Sequence, residues 1–353
     1  MRHSANLDIL RSFAVSVVVI DHLVPTLATH AGYYNQTVMM LANHIGKAGV
    51  LAFFVHTSLV LMYSLERMSH AAEKVTLRFY LRRFFRIYPL SIFCITLALI
   101  LHIPDVTWQA PDIITKPMIV SNLLLMQDIF ARTSILAPLW SLPFEVQMYL
   151  VLPALYFLTL RKRAVFWLGG LFASFCVFGV LVFWLTKGHL SMAEYIPCFL
   201  SGVLCYSLRN RIPARIPAFI WPPFVLLLIL GYCYAREFYN DGFFWIGWLF
   251  CLALGLAINA FHNSAQKHIN FAAEKIALYS YGVYLLHIPA LYLVFIVLGI
   301  RDLVFGPLLF VAITMVASVV TYHCIESPLI EVGRRLSSRR ALAPVLASAS
   351  ESR

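Results

Sequence analysis

Long apolar runs separated by short, mostly basic connectors dominate the chain. A helix needs about 20 predominantly apolar residues to cross the hydrocarbon core of a bilayer. Lipid offers no hydrogen-bond partners, so each run must satisfy its own backbone groups by forming a helix. Ten runs of this kind are predicted as spans, near residues 7–27, 46–66, 87–104, 138–160, 164–186, 192–208, 218–235, 243–261, 276–299 and 303–325. The pattern therefore predicts an all-α polytopic transmembrane bundle of about ten spans.

Composition excludes a soluble globular protein. Hydrophobic residues make up 61% of the 353 residues and charged residues 12%, against roughly 45–50% and 25% in soluble domains. The seven cysteines lie mainly within apolar runs and form no CxxC pair, which is typical of packing residues and predicts no metal site. We therefore predict one membrane domain over residues 1–335 and a disordered cytoplasmic tail over 336–353, which is rich in Ser, Ala and Arg.

The net charge of +11 follows the expected membrane topology. With the N-terminus in the cytoplasm, most of the 27 Lys and Arg residues fall in cytoplasmic segments. Short cytoplasmic connectors of membrane proteins are enriched in these residues. Both termini are therefore predicted to be cytoplasmic, and the basic charge predicts contact with membrane lipid and no nucleic-acid partner.

Ionisable residues inside the first span are the leading candidates for chemistry, because each is costly in lipid. Arg11 and His22 are eleven residues apart, which places them on nearly the same helix face and about 16 Å apart along the axis. With the N-terminus inside, Arg11 lies toward the cytoplasm and His22 lies beyond the middle of the membrane. A long substrate could lie along this face. The alternative is that Arg11 reaches the cytoplasmic headgroups and His22 bonds a neighbouring helix.

An arginine row precedes the third span. Arg78, Arg82 and Arg86 repeat every four residues, with Arg83 beside them, so one helix face presents three guanidiniums. Planar guanidinium forks suit the phosphates of a nucleotide-bearing co-substrate. Topology and contact with anionic lipid explain the same row without such a ligand. Both interpretations remain open at this point.

Three further ionisable residues lie in predicted spans. Glu145 follows Trp140 by five residues and could orient an imidazole, bind a sugar hydroxyl or cap a helix N-terminus. His56 and His287 lie among apolar neighbours, where a histidine is more often a hydrogen-bonded core residue. Both therefore rank below His22 as candidate bases.

Six motifs, in order along the chain, resemble those of the acyltransferase-3 family of integral membrane O-acyltransferases. They lie at residues 7–11 with His22, 53–55 with Ser58, 82–89, 140–145, 280–287 and 325–328. The chain departs from the usual family pattern at Asp21, which replaces an aromatic residue, at residues 56–58, and at Phe144. These departures concern the choice of acceptor more than the reaction.

The resemblance implies that an acyl group, most often acetyl, passes from cytoplasmic acyl-CoA to a hydroxyl of a cell-surface glycan or lipid-linked sugar. Acyl-CoA is then a co-substrate, and no permanently bound cofactor is expected. The residues implied to hold the donor are Arg11, Arg82, Arg83 and Arg86. For catalysis the resemblance implies His22 as the general base. Asp21 and Glu145 are candidates for orienting or tuning its imidazole, because a nearby carboxylate favours the charged form. A covalent acyl-histidine remains an alternative to direct transfer.

Other functions are compatible with the composition. A proton-coupled secondary transporter or flippase would use intramembrane His, Asp and Glu residues as a proton relay. The sequence shows no inverted repeat, which argues against that class. A non-catalytic scaffold would leave the shared face of Arg11 and His22 unexplained. The predicted location is the bacterial inner (plasma) membrane, with the chain integral to it.

Overall fold

The computed structural model describes residues 4–33, 35–71, 74–103, 114–130, 133–186, 192–239 and 244–338. Within these ranges the protein is helical, and the only β-pairing is an isolated bridge between Ile216 and Phe261. The α-helices are α1 (Ala5–His30), α2 (Gln36–Ala71), α3 (Val75–Leu101), α4 (Lys116–Leu123), α5 (Leu142–Thr159), α6 (Ala164–Leu185), α7 (Met192–Leu208), α8 (Trp221–Tyr239), α9 (Trp245–Ile258), α10 (Lys267–Leu291), α11 (Phe305–Thr321) and α12 (Ser327–Leu336). Most of the tail predicted from residue 336, namely residues 339–353, lies outside the described residues.

The predicted spans all coincide with helices. In the described part of the chain, seven helical segments, which include α2, α3, α5, α6, α8, α10 and α11, are long and apolar enough to cross a membrane. Helices α7 and α9 are apolar but shorter, at 17 and 14 residues, and α1 also falls outside the set of seven. The helical membrane bundle is therefore confirmed. The count of about ten spans and the cytoplasmic location of both termini stay predictions.

Helix α2 lies at the centre of the bundle, packed between α1 and α7. Glycines permit both contacts. A methyl group added at Gly49 would lie 2.6 Å from the Ala14 carbonyl oxygen of α1, and one added at Gly202 of α7 would collide with the α2 backbone at Val55. Small residues let helix backbones approach closely inside membranes. The packing against α2 therefore holds α1, which carries Arg11 and His22, inside the bundle.

Helix α6 shows which surface faces lipid. It is apolar throughout, yet only Ala164, Leu168 and Gly179 are buried. Large exposed side chains on it include Trp184 and Leu185. Apolar surface is stabilised by an apolar environment, and a helix of this length matches the hydrocarbon core of a bilayer. The outer position of α6 therefore agrees with an integral membrane protein.

Two π-helical turns interrupt the C-terminal helices. One, Tyr292–Val297, follows α10, and the other, Tyr322–Glu326, joins α11 to α12. Such turns are rare and occur frequently at functional sites. The second turn ends at Glu326, which is 1% exposed and accepts a hydrogen bond from Arg86 Nη1 at 2.6 Å. This turn therefore connects the end of α11 to the arginine row on α3.

Candidate active site

Two open cavities lie inside the bundle and share part of their walls. Their empty volumes, which include space open to the solvent, are about 750 Å³ and 730 Å³. Val50 of α2 and Tyr284 of α10 line both cavities. The two cavities therefore adjoin at these two residues.

The first cavity, which we call the arginine cavity, contains Arg11 of α1 and Arg83 and Arg86 of α3. Arg11 Nε donates a hydrogen bond to Ser280 Oγ of α10 at 2.6 Å. Arg86 Nη1 is held in turn by Glu326, as described above. Arginine side chains do not lose their charge in proteins. The fold therefore holds three cations in fixed directions around one cavity.

The carboxylates around this cavity do not balance its cations. Glu145 of α5 lines the cavity and accepts a hydrogen bond from the Tyr149 hydroxyl, which also contacts Arg83. Within the described residues, the three guanidiniums thus face two carboxylates, Glu145 and Glu326, which leaves one positive charge. The buried Arg83 Nε also has no hydrogen-bond partner there. Because uncompensated buried charge is costly, the arginine cavity favours an anionic ligand.

The structure divides the predicted arginine row between two surfaces. Arg83 and Arg86 line the arginine cavity, but Arg78 and Arg82 do not. Arg82 Nε instead donates to Ser337 Oγ, directly after α12, at 2.9 Å. Arg82 and Arg83 point about 100° apart around α3, and here that difference turns Arg82 toward α12 and Arg83 into the cavity. Of the four arginines predicted to hold the donor, Arg82 alone lies outside the cavity.

The second cavity, which we call the histidine cavity, contains Asp21 and His22 of α1. Asp21 Oδ2 lies 3.6 Å from His22 Nδ1. The Asp21 carboxylate also lies against Gly46 of α2, where an added methyl group would collide with it. The remaining polar and aromatic lining comes from Asn43, Lys47, Trp140 and Tyr195. This mixture of aromatic faces with a few polar groups is typical of small-molecule sites.

A second histidine contacts His22. His287 of α10 lies with its ring centre 5.0 Å from that of His22, and His287 Nε2 is 3.3 Å from His22 Nδ1. His287 is fully buried, whereas the His22 side chain is 17% exposed and lines the cavity. A ligand in the histidine cavity can therefore reach His22, and His287 lies behind it.

The sequence-predicted residues thus fall into two groups. Glu145, expected beside the imidazole, lies with the arginines, and so does His56, which is buried. Asp21 is the predicted carboxylate that the structure places beside His22. Residues that sequence reasoning missed include Ser280 and Glu326, which hold two of the arginines. Ser280 and Glu326 belong to the C-terminal motifs at residues 280–287 and 325–328. Membership of these motifs is the one feature of the sequence that could have identified them.

Comparison with known proteins identifies one family. A family model described as an acyltransferase domain matches residues 4–323. No curated protein and no solved structure matches the chain. The matched range includes every residue that lines the two cavities.

Proposed function

Because the chain belongs to the acyltransferase-3 family, we propose that this membrane acyltransferase moves an acyl group, most simply acetyl, from cytoplasmic acyl-CoA to a hydroxyl of a cell-surface glycan or lipid-linked sugar. The observation that carries the proposal is the wall formed by Val50 and Tyr284, which both cavities share. One cavity carries excess positive charge and the other contains His22. An anionic donor and a hydroxyl acceptor thus have separate sites that meet at one wall.

The donor is assigned to the arginine cavity. Guanidinium forks bind phosphate oxygens through paired, charge-assisted hydrogen bonds, and CoA carries several phosphates. Arg83 can make such a contact without losing a bond at Nε, because that atom has no partner in the described part of the protein. We therefore assign phosphate binding to Arg11, Arg83 and Arg86. The pantetheine arm would then carry the thioester toward Tyr284.

The acceptor is assigned to the histidine cavity. As the acceptor oxygen attacks the thioester carbonyl carbon, its proton passes to His22 and a new carbon–oxygen bond forms. The carbon–sulfur bond then breaks, and the CoA sulfur leaves with the proton returned by His22. General-base assistance of this kind contributes roughly 10²- to 10⁴-fold in rate. The Asp21 carboxylate, 3.6 Å from Nδ1, favours the imidazolium while it carries the proton.

The reaction has a direct test. Purified protein is incubated with acetyl-CoA labelled in the acetyl group and with a saccharide-lipid extract of bacterial membranes. We expect label in the saccharide fraction as an ester that mild alkali releases, and no label with the His22→Ala variant. Labelled acetyl-CoA that binds but never transfers its acetyl group to any extract would contradict the proposal. Movement of an unmodified solute across vesicles of the same protein would instead favour a transporter.

The location follows from the same chemistry. Acyl-CoA is made in the cytoplasm, so the arginine cavity must open to that side for the donor to enter. We place the protein in the bacterial inner (plasma) membrane, where its other side faces glycans of the cell envelope. We expect the C-terminus to be cytoplasmic. A reporter enzyme that is active only in the cytoplasm should therefore be active when fused there, and one that is active only outside should not. Activity of the outside-only reporter at the C-terminus would reverse the assignment of both cavities.

A further inference from the structure

We infer that His287 is a positioning residue for His22: it accepts a hydrogen bond from His22 Nδ1, directs His22 Nε2 toward the acceptor, and stabilises the imidazolium formed during transfer. This inference rests on the proposed function, because it assumes that His22 is the base. It concerns a residue that touches neither substrate.

Two backbone carbonyls fix those positions. His22 Nδ1 lies 3.0 Å from the Val18 carbonyl oxygen, and His287 Nδ1 lies 3.1 Å from the Val283 carbonyl oxygen. A carbonyl oxygen only accepts hydrogen bonds, so the nitrogen facing it must carry the hydrogen. Both neutral rings therefore carry their hydrogen on Nδ1. The lone pair of each ring is on Nε2.

The lone pair of His287 faces the hydrogen of His22. The distance from His287 Nε2 to His22 Nδ1 is 3.3 Å, so the Nδ1 hydrogen is shared between this nitrogen and the Val18 oxygen in a three-centre bond. Asp21 Oδ2, at 3.6 Å, is too distant for a hydrogen bond, but its negative charge also favours hydrogen on this nitrogen. With two acceptors and this charge around Nδ1, the hydrogen remains there. Within the described residues, the ring of His22 makes its hydrogen bonds at Nδ1, so Nε2 can accept the proton of a hydroxyl group.

The contact strengthens during the reaction. When His22 Nε2 takes up the proton, the ring becomes a cation and its Nδ1 hydrogen bond becomes charge-assisted, which makes it about twice as strong. An interaction that is stronger in the transition state than in the ground state accelerates the chemical step. His287 is fully buried, so water cannot readily replace it as the acceptor. Its loss should therefore lower kcat and leave donor binding intact.

Two substitutions of similar size separate this role from simple packing. In His287→Gln the side-chain oxygen can accept the hydrogen bond from His22, whereas His287→Leu fills the space without an acceptor. We expect His287→Leu to lower kcat for acetyl transfer by about 10- to 100-fold, the effect of losing a hydrogen bond to a charged group. KM for acetyl-CoA should not change, since the arginine cavity is untouched. His287→Gln should recover most of kcat.

The outcomes distinguish this inference from the proposed function. If wild-type protein transfers no acetyl group, the proposed function fails. If it does transfer, and His287→Leu retains full kcat, the positioning role alone is overturned. Equal losses in the Leu and Gln variants, with normal acetyl-CoA affinity and thermal midpoint, would also overturn it.

A measurement on the wild type keeps the inference testable even if His287→Leu does not fold. Nitrogen-15 NMR of histidine-labelled protein distinguishes hydrogen on Nδ1 from hydrogen on Nε2. Signals are assigned by their loss in His22→Gln and His287→Gln. We expect the Nδ1–H form at both rings near neutral pH. Hydrogen on Nε2 in either neutral ring would contradict the inferred arrangement.

Discussion

Replacing Arg83 by lysine tests the assignment of the donor to the arginine cavity. Arg83 lines that cavity, and its buried Nε has no partner within the described residues. Lysine keeps the positive charge but loses the planar fork. A hydrogen bond to a charged group contributes roughly 1.5–3 kcal/mol, so losing one phosphate contact should weaken acetyl-CoA binding by roughly 10- to 150-fold. Titration calorimetry with the purified protein measures this directly.

The neighbouring Arg82 supplies a matched control. Arg82→Lys makes the same chemical change one position away, but Arg82 Nε bonds Ser337 outside the cavity. We expect acetyl-CoA affinity to stay at the wild-type value in this variant, with normal insertion and yield in both. If Arg82→Lys weakens binding as much as Arg83→Lys, the donor phosphates lie at the junction of α3 and α12. The reasoning from the cavity would then be refuted.

The remaining predictions concern His22 and two glycines, with a third glycine as a control. His22→Gln should bind acetyl-CoA normally but lose about 10²- to 10⁴-fold in transfer rate, because an amide cannot take up the proton; substantial turnover would place the base elsewhere. Gly46→Ala should displace the Asp21 carboxylate and lower kcat at unchanged acetyl-CoA affinity, whereas wild-type kcat would show that Asp21 plays no part. Gly202→Ala should cost about 1–3 kcal/mol through overpacking against α2 and lower the thermal midpoint. Gly170→Ala, which has open space around it, should leave the thermal midpoint unchanged. Equal thermal midpoints in these two variants would refute the close contact between Gly202 and α2.

The helical bundle could be predicted from hydropathy because the physical rule is local. Each apolar run must form its own hydrogen bonds in lipid, so every predicted span lies on a helix. Whether a given helix crosses the whole bilayer depends on neighbours as well as on length. Helices α7 and α9, with 17 and 14 residues, pack among other helices and need not match the full membrane thickness alone.

The arginine row shows where periodicity is insufficient. Spacings of three and four residues both place side chains on one side of a helix. The sequence therefore allowed Arg82 and Arg86, or Arg83 and Arg86, to face the same ligand. Which pair faces the ligand depends on what packs against α3. Ser337, directly after α12, contacts Arg82, and Glu326 of the second π-helical turn contacts Arg86. These contacts join residues far apart in the sequence, and local patterns do not contain them.

Helix α10 explains why Arg11 and His22 belong to one site although they line different cavities. Ser280, Tyr284 and His287 occur at positions i, i+4 and i+7, which place them on one face of α10. Ser280 bonds Arg11, and His287 bonds His22, so α1 and α10 run in the same direction along each other.

Tyr284, which lies between Ser280 and His287 on this face, forms the wall that the two cavities share together with Val50. The Tyr284 hydroxyl lies 2.7 Å from Ser141 Oγ and donates to the Pro138 carbonyl oxygen at 2.9 Å, which fixes the ring in place. The contact residues on α1 are about 16 Å apart along the axis and those on α10 about 10 Å, and the long arginine side chain can bridge much of the difference. One face of α10 therefore positions Arg11, the common wall and His22 relative to one another. A change in the register of α10 against α1 would disturb all three together.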